Sequence, residues 1–409
     1  MLKSKLFKNY KFTALWISQI LSQLTINILS FVILIHIFQE TGSTIATSLL
    51  WIAYALPAVL FGPFAAAWTD LMEKRIVLMI SNLLQSIVVF LFAILLYKKL
   101  IYLSYIVVFL YSLFNQFYVP AEAATLPVLV KDDDLPQANS FFFITQQSSL
   151  VVGFGAAGLL DTVFGFRATL FLVSLCLFIA FVAVTFLPKL KPSAKLPTTF
   201  EKGVKKFFDQ IVEGYEFIRN TKSVFFPFSL LLGVQVILTV IVTNLPRIAT
   251  DIMKVSVNTS SLIVIVPAGI GAIIATLLIS KFFKKHIKRK TVILSSLTLF
   301  AISILVVAIF IPFISLMWVR IAVAAIFFVV AGMGAVGTLV PSITYLQEET
   351  PKDLLGRVFG NFWFLTTLAT VIPVLFSATI TDLLGVRVLV ILLGLICIGV
   401  VYLFRYEKL

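Results

Sequence analysis

Charge is scarce in this chain. Only 12% of its 409 residues are charged and 60% are hydrophobic, whereas a soluble globular domain carries about 25% charged residues. That much apolar surface cannot be hidden from water within one fold, so the composition requires hydrocarbon as solvent. Cysteine is nearly absent. Cys176 and Cys397 allow at most one bridge and exclude a disulfide framework or a CxxC metal site; both lie inside apolar runs and read as small core or lipid-facing residues. Histidine is as rare, and His36 and His286 are too far apart in sequence to suggest a metal centre. There is no nucleophile elbow and no pair of catalytic carboxylates, so neither an enzyme nor a cofactor is expected. The first apolar run is too long for the core of a secretory leader and lacks a small-residue cleavage site, so it is expected to remain as a spanning helix. No lipidation box stands at either terminus.

What is present is a repeated pattern of long apolar runs. About 20 apolar residues cross a hydrocarbon core about 30 Å thick. Twelve runs meet that length: 12–38, 45–69, 75–97, 101–124, 136–160, 166–187, 224–249, 258–282, 291–311, 314–341, 354–381 and 386–404. None shows the alternation of a barrel strand, and an open strand cannot span lipid. An all-α membrane protein of twelve transmembrane helices is the expected fold. The net charge of +14 does not indicate nucleic acid, because the basic residues cluster at the ends of the runs and not on one soluble face. The 40 Phe suit lipid-facing helices better than a base-stacking surface. With the N-terminus inside, 25 of the 32 Lys and Arg fall in inner segments and six in outer ones, a bias that predicts both termini in the cytoplasm.

The longest connection, 188–223, divides the runs six and six. It opens with Pro188, Pro192 and Pro197, then becomes amphipathic from Phe200 to Arg219. Phe207, Phe208, Ile211, Val212, Tyr215 and Ile218 recur at helical spacing, with Lys202, Lys205, Lys206 and Glu213 on the other side. Such a helix is expected to lie at the cytoplasmic membrane surface, held by apolar burial and anionic lipid. The expected organisation is therefore an N-terminal half (1–187), a linker (188–223) and a C-terminal half (224–409). The halves echo one another: Pro57-Ala58 matches Pro267-Ala268, and Asp161-x-x-x-Gly165-x-Arg167 matches Asp382-x-x-Gly385-x-Arg387. One six-helix unit used twice is implied, and paired halves of this kind place substrate at their interface.

Three stretches carry a family resemblance. Gly62-Pro-Phe-Ala-Ala-Ala-Trp-Thr-Asp70-Leu-Met-Glu-Lys74-Arg75 resembles the cytoplasmic loop signature of the major facilitator superfamily. Pro120-Ala121 through Leu126-Pro127 to Ala138-Asn139-Ser140, and Gln347-Glu-Glu-Thr-Pro351-Lys-Asp-Leu-Leu-Gly356-Arg357-Val358-Phe359, are similar to the branch that holds macrolide-efflux exporters, siderophore exporters and lysophospholipid flippases. The resemblance implies a secondary transporter that exports small amphipathic or hydrophobic compounds by alternating access, with protons as the default coupling ion. Membrane lipids are the other expected partner, nucleic acid is not one, and a monomer in a bacterial plasma membrane is expected. A lipid or lysolipid flippase and a transport-inactive scaffold or receptor subunit are the alternatives.

Candidate site residues follow from polarity within the runs. Gln19, Gln23 and Asn27 share one stripe of helix 1, at i, i+4 and i+8. With Asn115, Gln235 and Asn361 they either line a weakly polar cavity or bond helix to helix. The resemblance implies that helices 1, 4, 7 and 10 line that cavity. In the loop signature Gly62 is expected to allow close helix approach, and Asp70 to face Lys74, Arg75 or a helix N-terminus, a set suited to conformational gating. Arg357, near Glu348, Glu349 and Asp353, is the gating counterpart in the second half. The other repeat lacks the acid, since Ser280 stands near its position. Membrane-embedded acids are few, and Glu122 is the candidate for proton coupling. Members of the family it resembles often carry an Asp in helix 1 where this chain has Gln23 to Asn27, and its exporters often have proline where Phe154 stands. Gly153-Phe-Gly155-Ala-Ala-Gly158 spells GxGxxG, but without a preceding strand it reads as helix packing or a hinge. Arg320, within an apolar run, either snorkels to the outer interface or serves a cavity.

Overall fold

A single glycine decides how the helices are counted. In the computed structural model, which describes residues 5–95, 101–131, 134–189, 200–282, 289–351 and 354–405, one continuous helical stretch runs Leu135–Thr185. It is 51 residues long, or about 76 Å at 1.5 Å per residue, far more than one bilayer crossing. Gly165 breaks it with φ 78° and ψ 162°, a left-handed backbone that a residue with a Cβ adopts only under strain. The stretch is therefore two helices meeting at a corner, α5 (135–164) and α6 (166–185). The remaining elements are α1 (Tyr10–Thr41), α2 (Thr44–Leu71), α3 (Lys74–Leu95), α4 (Tyr102–Leu129), α7 (Lys222–Thr243), α8 (Val266–Phe282), α9 (Arg289–Phe310), α10 (Met317–Glu349), α11 (Leu355–Leu384) and α12 (Val386–Arg405). A linker helix, Phe200–Asn220, precedes α7. The described residues contain no strand. Each of the twelve apolar runs is a helix, and the linker's periodic segment is one as well.

Contacts divide the chain into two units, 1–40 with 50–209, and 41–49 with 210–409. In unit 1, α3 packs against α4 and the α5–α6 pair. The buried residues Phe12, Leu15, Leu78, Tyr118 and Phe142 form one core cluster there. In unit 2, α10 packs between α8 and α9. A Cβ on Gly332 would lie 1.9 Å from the Ala268 carbonyl oxygen, and one on Gly271 would lie 1.9 Å from that of Val329. Main chain therefore touches main chain where α8 crosses α10, an approach that only small residues permit.

The sequence repeat is a structural repeat. Gly385 joins α11 to α12 at φ 87°, as Gly165 joins α5 to α6. Two residues on, Arg167 donates to the Ala93 carbonyl in the last turn of α3 (3.0 Å), and Arg387 donates to the Ile309 carbonyl in the last turn of α9 (3.2 Å). Each guanidinium also lies over a ring, Phe171 at 5.8 Å and Phe313 at 4.8 Å. A cation at a helix C-terminus satisfies carbonyls that lack intrahelical donors and complements the dipole. Each arginine is thus spent on the end of a neighbouring helix. Asp382 instead meets Arg247 at 3.5 Å.

Candidate functional site

Glu122 sits in α4 at 8% exposure, with one carboxylate oxygen accepting a hydrogen bond from the Tyr118 hydroxyl at 2.9 Å. The i to i+4 spacing places both on one helix face. The Tyr118 oxygen is 3.2 Å from Ser18 Oγ of α1, which accepts from Asn82 Nδ2 of α3 at 3.0 Å. Tyr118, Ser18 and Asn82 are fully buried. Three helices thus converge on one acid through hydroxyls and an amide. Tyr118 and Asn82 were not singled out from the sequence as partners of Glu122. The i−4 tyrosine was a usable signal for the first, and only the fold brings Asn82 in.

The helix 1 stripe faces α5. Gln19 Nε2 donates to the Phe142 carbonyl at 3.1 Å, while Gln19 Oε1 is buried and accepts from no protein donor. Asn27 bonds back to the Gln23 carbonyl (2.7 Å) and packs on Gly153, where a Cβ would come within 2.6 Å of Asn27 Cβ. The first glycine of the GxGxxG string is therefore a close-packing point between α1 and α5. Asn115 and Gln235 are half-buried, and the Gln235 carbonyl accepts from Thr239 at 3.0 Å. Asn361 is placed elsewhere: it is 2% exposed and donates to the Ile211 carbonyl of the linker helix at 3.1 Å. Gly214 of that helix lies so close that a Cβ would meet Asn361 Nδ2 at 2.3 Å. Arg357, four residues before Asn361, forms an ion pair with Glu213. Glu348, expected beside Arg357, pairs with Arg289. The amphipathic helix is thus fastened to the start of α11 by an amide, a salt bridge and a glycine contact. Asn361→Leu combined with Glu213→Gln is expected to release it, read as faster tryptic cleavage between residues 200 and 222 with the rest of the chain intact.

The basic residues of the loop signature cap helix ends. Lys74 is buried and donates to the Thr69 carbonyl of α2 at 2.6 Å, and Arg75 donates to the Thr185 carbonyl of α6 at 2.6 Å. Among the described residues Gly62 does not mark a close approach: a Cβ there would meet Gln116 Oε1 at 3.9 Å, a side chain and not a neighbouring backbone. The Asp70 side chain and Asp353 lie outside the described residues. Arg320 is buried and donates to the Ile314 carbonyl at 3.3 Å, just before its own helix begins.

Two further features were not anticipated. Arg247 donates to the Gly42 carbonyl at 2.8 Å and approaches Asp382, whose Oδ1 accepts from the Thr44 amide at 3.4 Å. The segment 41–49 belongs to unit 2 through this corner and through the Ser48 bond to the Val374 carbonyl. Arg247, Asp382 and Thr44 are far apart in sequence, and no local pattern links them. The second feature is a groove of about 570 Å³ within unit 2, lined by α7, α11 and α12 with Leu297. Its lining is apolar apart from Ser229, Ser377 and the Cys397 thiol. Gly233 lies in it, and nothing comes within 4 Å of where its Cβ would be. No cluster of metal-ligating side chains occurs among the described residues, and both cysteines are free thiols.

The family model of the Major Facilitator Superfamily matches residues 15–374. The chain is 26% identical over 408 residues to Macrolide efflux protein A of Streptococcus pyogenes, covering 96% of this chain and 95% of that one. It is 24% identical over 417 residues to an uncharacterized MFS-type transporter, YfiS, of Bacillus subtilis (strain 168), covering 98% and 94%. Among solved structures, a bacterial homologue of the human lysosomal transporter Spinster, inward-facing and unoccupied, aligns with a TM-score of 0.76 at 13% identity, covering 98% of this chain and 97% of that one. The nucleoside transporter NupG aligns at 0.73 and 14% identity, covering 98% and 100%. At these identities the structures speak for the fold alone.

Proposed function

Because the chain belongs to the major facilitator superfamily and is an integral membrane transporter, we propose that it exports small amphipathic or hydrophobic compounds by alternating access, in exchange for protons carried by Glu122. The observation that carries this reading is the placement of Glu122. It is a buried carboxyl inside an apolar bundle, held by a tyrosine and, among the described residues, by no ion pair. An acid in that position is costly to keep and marks an ion pathway by default. The residue that exchanges the proton changes charge within the bundle, which gives the two access states different stabilities. The cargo class rests on the similarity to a macrolide efflux protein and on the low charge of the polar candidates, which are amides and hydroxyls. Both termini lie in the cytoplasm in this reading, and the linker helix rides on the inner end of α11. The Arg247–Asp382–Thr44 corner closes the outer end of unit 2.

The test is efflux from cells. Bacteria expressing the protein should retain less of a labelled macrolide than cells carrying an empty vector, and a protonophore should erase the difference. Equal retention across a panel of amphipathic compounds would remove the export reading.

The groove beside Gly233 favours one second reading. An apolar channel between α7, α11 and α12 suits an acyl chain, as a lysolipid flippase requires. Purified protein in liposomes would then move a fluorescent lysophospholipid between leaflets without moving the macrolide.

A further inference from the structure

The polar groups around Glu122 do not stop at one hydrogen bond. Glu122 Oε1, the Tyr118 hydroxyl, Ser18 Oγ and Asn82 Nδ2 stand in sequence at 2.9, 3.2 and 3.0 Å. Asn82 Oδ1 and, one turn along α3, Gln85 Oε1 are buried and accept from no protein donor. A buried amide oxygen left in that condition costs about 1–3 kcal/mol, so two in adjacent turns call for an explanation. Gln85 Nε2 is spent on the Tyr111 carbonyl at 3.3 Å, and the Tyr111 hydroxyl reaches Thr25 Oγ1 at 3.4 Å and the Ser22 carbonyl at 3.5 Å. A ladder of hydroxyls and amides therefore climbs from Glu122 between α1, α3 and α4 within unit 1. The titratable groups along it are Glu122, Tyr118 and Tyr111 of α4, with Tyr54 of α2 beside Tyr111. The rungs that α1 and α3 present, Ser18, Ser22, Thr25, Asn82 and Gln85, do not titrate, and α5 contributes Phe141 and Phe142 to the same core.

We infer that this ladder is a proton relay in which Tyr118 and Ser18 pass a proton between Glu122 and a water molecule bound at Asn82 Oδ1. This inference rests on the antiport reading of Glu122. The step balances: a hydronium at Asn82 gives its proton to Ser18 Oγ, the Ser18 hydroxyl gives its own to the Tyr118 oxygen, and Tyr118 gives its own to the Glu122 carboxylate. Three O–H bonds break and three form. The hydronium becomes water, the carboxylate becomes a carboxylic acid, and both hydroxyls end neutral. The imposed gradient supplies the hydronium. The transfers from Ser18 to Tyr118 and from Tyr118 to Glu122 run along contacts already at hydrogen-bond distance, and the water at Asn82 Oδ1 bridges the remaining gap to Ser18 Oγ.

Two readouts in proteoliposomes separate a relay from structural bonding. One is accumulation of a labelled macrolide driven by a pH gradient. The other is exchange of labelled for unlabelled macrolide with no gradient, which needs substrate binding and access but no net proton transfer. Tyr118→Phe removes the hydroxyl and keeps the ring, and Asn82→Leu removes the far end of the ladder at similar volume. Each is expected to abolish accumulation and to keep exchange, as Glu122→Gln does. Accumulation at the wild-type level in both variants, with Glu122→Gln inactive, would overturn the relay and leave the antiport reading standing. Accumulation persisting in Glu122→Gln would overturn both. Loss of exchange together with accumulation, in variants that still elute as a single species, would also overturn the relay, because the residues would then be holding the bundle together.

Discussion

Gly332→Leu is expected to leave no correctly assembled protein. A Cβ at this position would stand 1.9 Å from the Ala268 carbonyl oxygen and 2.8 Å from Ala268 Cα, and the leucine side chain would extend further into α8. Overpacking a core typically costs about 1–3 kcal/mol when side chains can give way. Here the neighbour is main chain, so α8 and α10 must separate along the whole crossing. The effect should therefore exceed that range, and even Gly332→Ala should be damaging. The reciprocal contact at Gly271 predicts the same outcome for Gly271→Leu. Gly360, with nothing within 4 Å of its Cβ position, is the control, and Gly360→Ala should behave as wild type. Size-exclusion profiles of the detergent-solubilised proteins decide the matter. A sharp wild-type-like peak for Gly332→Leu would mean that the α8–α10 crossing is not as close as described.

Glu122→Gln should abolish gradient-driven transport without loss of folded protein. Glutamine has nearly the shape of a protonated glutamate, and its amide oxygen can still accept from Tyr118, so the packing around 8% exposed Glu122 is preserved. What it loses is the exchangeable proton. Accumulation should fall to the level seen without a gradient, while gradient-free exchange persists. Glu122→Ala is a poorer probe. It removes buried side-chain volume and deprives the tyrosine hydroxyl of its acceptor, at a cost of about 1–3 kcal/mol for the unpaired group.

The helices were legible in the sequence because lipid imposes a length and an apolar composition on each crossing. The corner repeats were legible because a left-handed turn selects glycine at 165 and 385, and because each turn is followed by an arginine in register with the end of a neighbouring helix. The amphipathic linker was legible from its periodicity. Side-chain partners were harder to read. Arg357 has three acids within ten residues, yet it pairs with Glu213, 144 positions away, because the linker helix folds back onto α11. Asn361 has the polarity of a cavity residue, but Gly214 brings a carbonyl of the linker helix within reach of its amide. Arg247 has no local pattern that points to its partners, since residues 42, 44 and 382 come together only in the folded unit. Glu122 could be singled out because acids are rare in the runs. Its connection through Ser18 to Asn82 needed three helices to be placed at once.

The most direct test is the accumulation of a macrolide in proteoliposomes of the purified wild-type protein under an imposed pH gradient. Proton-coupled export predicts that the compound is concentrated only while the gradient stands, and that a protonophore releases it. Accumulation indifferent to the protonophore, or transport of a fluorescent lysophospholipid with none of the macrolide, would contradict it.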